Sequence, residues 1–219
     1  MKPSIFSYVL FLLFALTTQS IFIFTTTNSA SAAEVVVKDS TGKKVLNNVR
    51  YHVSPVAKGG SIKLTDTINK KKVCPFEVVH DPKDNVGGEF MFTMITDKEV
   101  KENYLKTERI LGIDSGYPKG ACTESTFWTI NDAEAKGPPA NLITTGGGFE
   151  TEETCFQVVE NPKPTSAKVH SYMLQHCPGF CGGPDKTCFN ISLSSYQGVN
   201  RLSAVGATPF EFAFHKIAK

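Results

Sequence analysis

The sequence has almost no net charge: 23 Lys and Arg against 21 Asp and Glu over 219 residues leave a formal +2. Losing Lys2 with an N-terminal leader lowers this to about +1, too weak a field to gather nucleic acid or an anionic membrane. The only basic run, Lys70-Lys71-Lys72, reads as a solvated turn before a strand. Catalytic motifs are missing as well. There is no G-x-S-x-G, the histidines His52, His80, His170, His176 and His215 are scattered, and Asp114-Ser115-Gly116 reads as a turn. Gly146-Gly147-Gly148 is followed neither by Lys-Ser/Thr nor by a helix, so it is no phosphate cradle. His176, Cys177, Cys181 and Cys188 crowd together, but without the paired two-residue cysteine spacing of a zinc ribbon. Neither an enzyme nor a metal or cofactor site is expected. Helical periodicity is scarce too: Asp97 to Arg109 has some, but its apolar positions are sparse and it reads as an exposed excursion.

What the chain does have begins with an apolar leader. Lys2 supplies a positive n-region, and Ile5 to Leu16 is apolar but too short to span about 30 Å of hydrocarbon. Asn28 to Ala33 reads NSASAA, small residues suited to signal peptidase, so residues 1–32 are expected to be a signal peptide cleaved after Ala32 or Ala33. Export takes the chain to an oxidising compartment, extracellular or vacuolar through the secretory pathway, with no membrane attachment afterwards. There its six cysteines, Cys74, Cys122, Cys155, Cys177, Cys181 and Cys188, read as three disulfides. The even count alone permits fifteen connectivities.

The remaining chain of about 186 residues, 33–219, is the size of one domain. It is built from short apolar alternations separated by turn residues. Candidate strands run from Val35 to Val37 and Val49 to Val53 through Ser61 to Thr65, Cys74 to Val79, Glu89 to Met94 and Ile110 to Ile113, and on to Phe189 to Leu193 and Phe210 to His215. A dozen such segments with little helix predict an all-β barrel or sandwich. Trp128, Phe127, Phe210, Phe212 and Phe214 alternate on strands and are expected in its core.

Several motifs together resemble the Kunitz-type soybean trypsin inhibitor family. Val37-Lys38-Asp39-Ser40-Thr41-Gly42-Lys43-Lys44-Val45, then five residues and Tyr51-His52-Val53, is similar to its N-terminal signature. Cys74-Pro75, Thr126 to Ile130, Tyr172 to Cys177, Gly198 to Leu202 and Pro209 to Phe212 continue the likeness across the chain. The resemblance implies a β-trefoil: twelve strands in three pseudo-repeats, six forming a barrel and six a hairpin cap. It also implies the pairs Cys74–Cys122 and Cys177–Cys188, and with them Cys155–Cys181. In the chain-entropy model a bridge closing about 12 residues contributes ~3 kcal/mol and one closing about 49 contributes ~4 kcal/mol.

The activity implied is inhibition of a serine endopeptidase or another secreted protease by a monomeric plant protein. A loop already held in the extended shape of a substrate loses little entropy on binding. A trypsin-like pocket then demands Lys or Arg on the acyl side of the scissile bond. The family's usual reactive loop falls near Thr96 to Val100, with Lys98 and Glu99 at the junction and Asn47 aligned with the family asparagine that braces the loop. Asp97, Glu99 and the nearby Glu102 would compete with the protease for the lysine charge. A second candidate junction is Lys186-Thr187, stiffened by Pro184 and the half-cystine Cys188. The alternative is a non-inhibitory β-trefoil storage, defence or binding protein diverged from the inhibitors, because fold does not settle activity. Asn190-Ile191-Ser192 is a possible glycosylation sequon.

Overall fold

The computed structural model describes residues 35–95, 102–116, 125–131, 141–196, 198–206 and 208–217. The leader, Lys98, Glu99 and Cys122 lie outside the described residues. Three groups of strands follow one another along the chain. The first holds β1 (Arg50–Pro55), β2 (Ser61–Ile68), β3 (Lys71–Asp81) and β4 (Phe90–Met94). The second holds β5 (Ile110–Asp114), β6 (Phe127–Asn131), β7 (Leu142–Gly147) and β8 (Phe156–Glu160). The third holds β9 (Tyr172–His176), β10 (Phe189–Asn190), β11 (Ser192–Tyr196), β12 (Val199–Ser203) and β13 (Glu211–Lys216).

The pairing closes a barrel. β1 pairs with β4, β4 with β5, β5 with β8, β8 with β9, β9 with β13 and β13 again with β1, all antiparallel. A closed ring leaves no edge to template aggregation. The other strands form three hairpins, β2–β3, β6–β7 and β11–β12. These meet one another in a triangle through Glu77↔Thr144, Ser203↔Leu142 and Arg201↔Val79. The arrangement is a β-trefoil. β10 and β11 are one trefoil strand interrupted at Ile191, whose amide bonds Leu174 on β9 and whose carbonyl accepts from Phe210; the thirteen segments among the described residues therefore make the twelve expected strands.

Alternation explains why these residues close this barrel. β1, β4 and β9 alternate strictly between half-buried and buried side chains, the period of a strand with one face on a core. At least two inward residues from each barrel strand meet inside, such as Tyr51 and Val53 on β1 or Phe212 and Phe214 on β13. Their rings pack edge to face, Phe92 on Phe214 at 4.9 Å and Tyr51 on Phe214 at 5.9 Å, a favoured arrangement of ring quadrupoles. Trp128 closes the hairpin end by packing on Phe90 at 4.9 Å. Arg201 and Glu77 form a largely buried ion pair at 2.5 Å where the hairpins meet.

Four expectations from the sequence change. Val35 to Val37 is not a strand but part of a strap, joined by the isolated bridge Val36↔Lys106. Val199–Ser203, met above only as a motif, is a strand. Phe127 is half-buried and leans on Phe149 at 5.2 Å instead of entering the core. The described part of the Asp97 to Arg109 segment is no exposed excursion, since Leu105 and Thr107 are buried under the strap. Sparse apolar positions concealed this because the burial is set by one leucine and by backbone pairing rather than by an apolar stripe.

Candidate functional site

The β4–β5 connection leaves the barrel after Met94 and returns at Ile110. Its two limbs are held apart and in place by one side chain. Asn47 Oδ1 accepts from the Met94 amide at 2.9 Å, and Asn47 Nδ2 donates to the Glu102 carbonyl at 3.0 Å. A carboxamide presents an acceptor and a donor on two separate atoms of one short arm, which suits it to bridge two backbone groups. The backbone around it adds further bonds: the Asn47 amide donates to Asn103 O and the Asn48 amide to Phe92 O, each at 3.0 Å. Asn48 adopts φ +59°, a left-handed conformation that asparagine tolerates better than most residues.

Asn47 sits at the end of the strap 35–48, which runs beside the returning limb. Val37 donates to Leu105 O, Leu105 to Val45 O and Val45 to Val37 O, each at 2.9 Å. A tight turn shapes the strap, because the buried Asp39 carboxylate accepts from the Thr41 amide (2.9 Å), the Thr41 hydroxyl (2.7 Å) and the Lys43 amide (3.0 Å). Burial pushes the Asp39 carboxyl up, but these hydrogen bonds and the Lys43 charge outweigh it and hold the group below the usual carboxylate range. Two buried tyrosines of the barrel reach the strap from below: Tyr51 Oη accepts from the Leu46 amide at 3.0 Å, and Tyr172 Oη from the Lys38 amide at 2.8 Å. At the surface, Lys106 Nζ bonds Glu102 Oε1 at 2.7 Å, and Lys44 lies 4.6 Å over the Tyr104 ring. Glu102, one of the acidic neighbours noted in the sequence, is thus paired with Lys106.

The strap and its tyrosines were not singled out from the sequence as functional. A usable signal was Tyr51, an inward position on an alternating strand that carries a hydroxyl in need of a partner.

Lys186 and Thr187 lie elsewhere, in the exposed loop between β9 and β10. Cys177 is bonded to Cys188, closing a ring, and Cys155 to Cys181, tying the ring to the segment before β8. Cys74 is also disulfide-bonded. Within the ring, Pro178–Cys181 forms a 3-10 turn. The two sides of the ring touch backbone to backbone: a Cβ at Gly179 would fall 2.4 Å from the Asp185 carbonyl. Lys186 Nζ turns back to Gly179 O at 3.4 Å, and the Thr187 amide bonds Asp185 Oδ1 at 2.8 Å. With these cysteines oxidised, no thiolate of the ring is left to ligate zinc. Asn190 is exposed on β10 and accepts from Gln175 Nε2 at 3.0 Å.

Comparison with known proteins follows the same outline. A family model described as trypsin and protease inhibitor, the legume Kunitz family, matches residues 37–216. A latex serine proteinase inhibitor from Carica papaya is 32% identical over 165 residues, 72% of this chain and 83% of that protein. The structure of a Kunitz-type cysteine protease inhibitor from potato superposes with a TM-score of 0.67 at 23% identity, over 85% of this chain and 99% of that one. A water-soluble chlorophyll protein from Brassica oleracea, solved with chlorophyll b, gives a TM-score of 0.63 at 19% identity, over 84% and 99%.

Proposed function

The chain belongs to the legume Kunitz family of trypsin and protease inhibitors, and we propose that it is a secreted plant inhibitor of a serine endopeptidase, acting through the β4–β5 loop. The observation that carries this reading is the double hydrogen bond of Asn47 to Met94 and Glu102. It pins both ends of a short loop to the strap beside the barrel, so the loop meets a protease with much of its ordering entropy already lost. Lys98 is assigned to the acidic specificity pocket and Lys98–Glu99 to the scissile bond. If that bond is cut, both limbs stay tied to Asn47, and the new amine remains beside the acyl group. Proximity of that kind favours religation over hydrolysis.

Lys186–Thr187 is the second candidate junction. Its lysine is folded back on Gly179 and must swing out to enter a pocket, which places it behind Lys98. The leader 1–32 is assigned to export, with the disulfides as its counterpart in an oxidising compartment. Asn190, exposed on its strand, is proposed as a glycosylation acceptor.

A non-inhibitory storage, defence or binding role is the second reading. It draws support from the acidic neighbours Asp97 and Glu99 and from the chlorophyll protein that shares the fold. Titration of the mature protein against trypsin, chymotrypsin, subtilisin and papain separates the two. Inhibition of trypsin, abolished by Lys98→Ala and retained in Lys186→Ala, is the expected result. Absence of inhibition of every protease at micromolar concentration would sink the inhibitor reading, and loss only in Lys186→Ala would move the site to the disulfide ring.

A further inference from the structure

We infer that Tyr51 is a positioning residue for the β4–β5 loop, acting through the strap and Asn47; this rests on the inhibitory reading of that loop. Four consecutive strap amides each have a distinct acceptor: Val45 bonds Val37 O, Leu46 bonds Tyr51 Oη, Asn47 bonds Asn103 O and Asn48 bonds Phe92 O. Three of those acceptors are backbone carbonyls. Among these four, the Leu46 amide alone depends on a side chain, and it belongs to the residue immediately before Asn47. In the bridge Leu46↔Tyr104 the strap pairs with the returning limb, so the Leu46 amide ties that paired assembly down to the barrel. Tyr51 is 1% exposed and packed against Phe214, so its hydroxyl is a fixed point. Without it, the Leu46 amide loses its acceptor and the Asn47 carboxamide is free to drift from Met94 and Glu102.

Tyr172 provides an internal control. It makes the same kind of bond, buried hydroxyl to strap amide at 2.8 Å, but to Lys38, before the Asp39 turn and away from Asn47. Tyr51→Phe and Tyr172→Phe each delete one such bond with no change of ring. The test compares them by inhibition constant against the protease that the parent protein inhibits, and by hydrogen exchange of the Met94 amide relative to the slowest core amides. Tyr51→Phe is expected to raise the inhibition constant and the Met94 exchange rate by about tenfold, the effect of one buried donor left without its acceptor. Tyr172→Phe is expected to change either by less than about twofold, the residue of an effect spread over the whole fold. In an Asn47→Ala background the Tyr51→Phe effect on inhibition should vanish.

Equal effects of the two tyrosine substitutions, or an undiminished Tyr51→Phe effect without Asn47, would overturn the inference. If the parent protein inhibits no protease, the inhibitory reading fails, yet the Met94 exchange comparison still decides whether Tyr51 holds the loop.

Discussion

Replacing Asn47 by Ala removes both side-chain contacts that brace the β4–β5 loop at its ends while leaving the backbone bonds of the strap, and the structure sets the size of the effect. The amide bonds at 2.9 and 3.0 Å have good geometry, and each contributes about 1 kcal/mol net, so about 2 kcal/mol of loop order is at stake. Re-ordering even one or two backbone residues on binding costs about 1–2 kcal/mol each, a figure of the same size from the entropic side. Expressed fully in binding, this raises the inhibition constant about 30-fold. Asn47→Asp sharpens the result: its carboxylate can still accept from the Met94 amide, but it offers no donor and faces the Glu102 carbonyl with like partial charge. It is expected to do no better than Ala. Global stability should change little, because Asn47 is only half-buried and lies outside the barrel core. The assay pairs inhibition constants with mass spectrometry after long incubation, in which the variants should be cleaved between residues 95 and 101 faster than the parent. An inhibition constant within twofold of the parent and an unchanged cleavage rate in Asn47→Ala would refute the bracing argument.

Three further outcomes test the scaffold. Replacing Cys155 and Cys181 together by Ser opens a loop with sequence separation 26, which the chain-entropy model values at about 3–4 kcal/mol. The Tm measured by calorimetry should fall by roughly 10 °C, and an unchanged Tm would contradict the staple. Arg201→Met leaves the Glu77 carboxylate without its guanidinium where the hairpins meet; urea denaturation should show a loss of about 3–5 kcal/mol, and Glu77→Met in the same chain should restore part of it. A loss near zero would mean that the ion pair is not closed in solution. His215 titrates below its ordinary 6.5, because burial and the neighbouring His52 disfavour its charge more than Asp39 favours it. The unfolded chain therefore binds more protons than the folded one between the lowered value and 6.5. Stability rises with pH across that window and is lost as the pH falls below about 6.5. Urea midpoints measured across that window should show the slope, and His215→Gln should remove it.

The barrel was legible in the sequence because its strands alternate, and alternation is a local property that needs no tertiary information. Tyr51 and Val53, or Phe212 and Phe214, announce their strands by spacing alone. The strap was not legible for the opposite reason. Val35 to Val37 has the composition of a strand, but its partners are Lys106 and Leu105, some seventy residues away, and nothing local separates such pairing from an ordinary ladder. Composition likewise hid Leu105, one buried leucine among charged neighbours. At the candidate site, Asn47 was accessible only through a family motif, because a single asparagine in a loop carries no periodic signal. The Glu102–Lys106 pair was accessible in principle, as oppositely charged residues four apart, but only the acidic half drew attention.

The contacts that hold the β4–β5 loop have one property in common that bears on specificity. Asn47 touches the Met94 amide and the Glu102 carbonyl, and Tyr51 touches the Leu46 amide; in these three bonds the partner on the held segment is backbone. Rigidity at the loop's ends thus does not depend on which side chains stand between residues 95 and 102. On the inhibitory reading proposed above, the scaffold would supply the entropic share of affinity and the residues of the loop the choice of protease. A loop of this kind can change its target without loss of fold or brace. The disulfide ring lacks this division, since Lys186 and Gly179 meet through side chain and backbone together and Gly179 tolerates no side chain beside Asp185. There a change of sequence changes the shape of the ring, so the β4–β5 loop is the better place for recognition to vary.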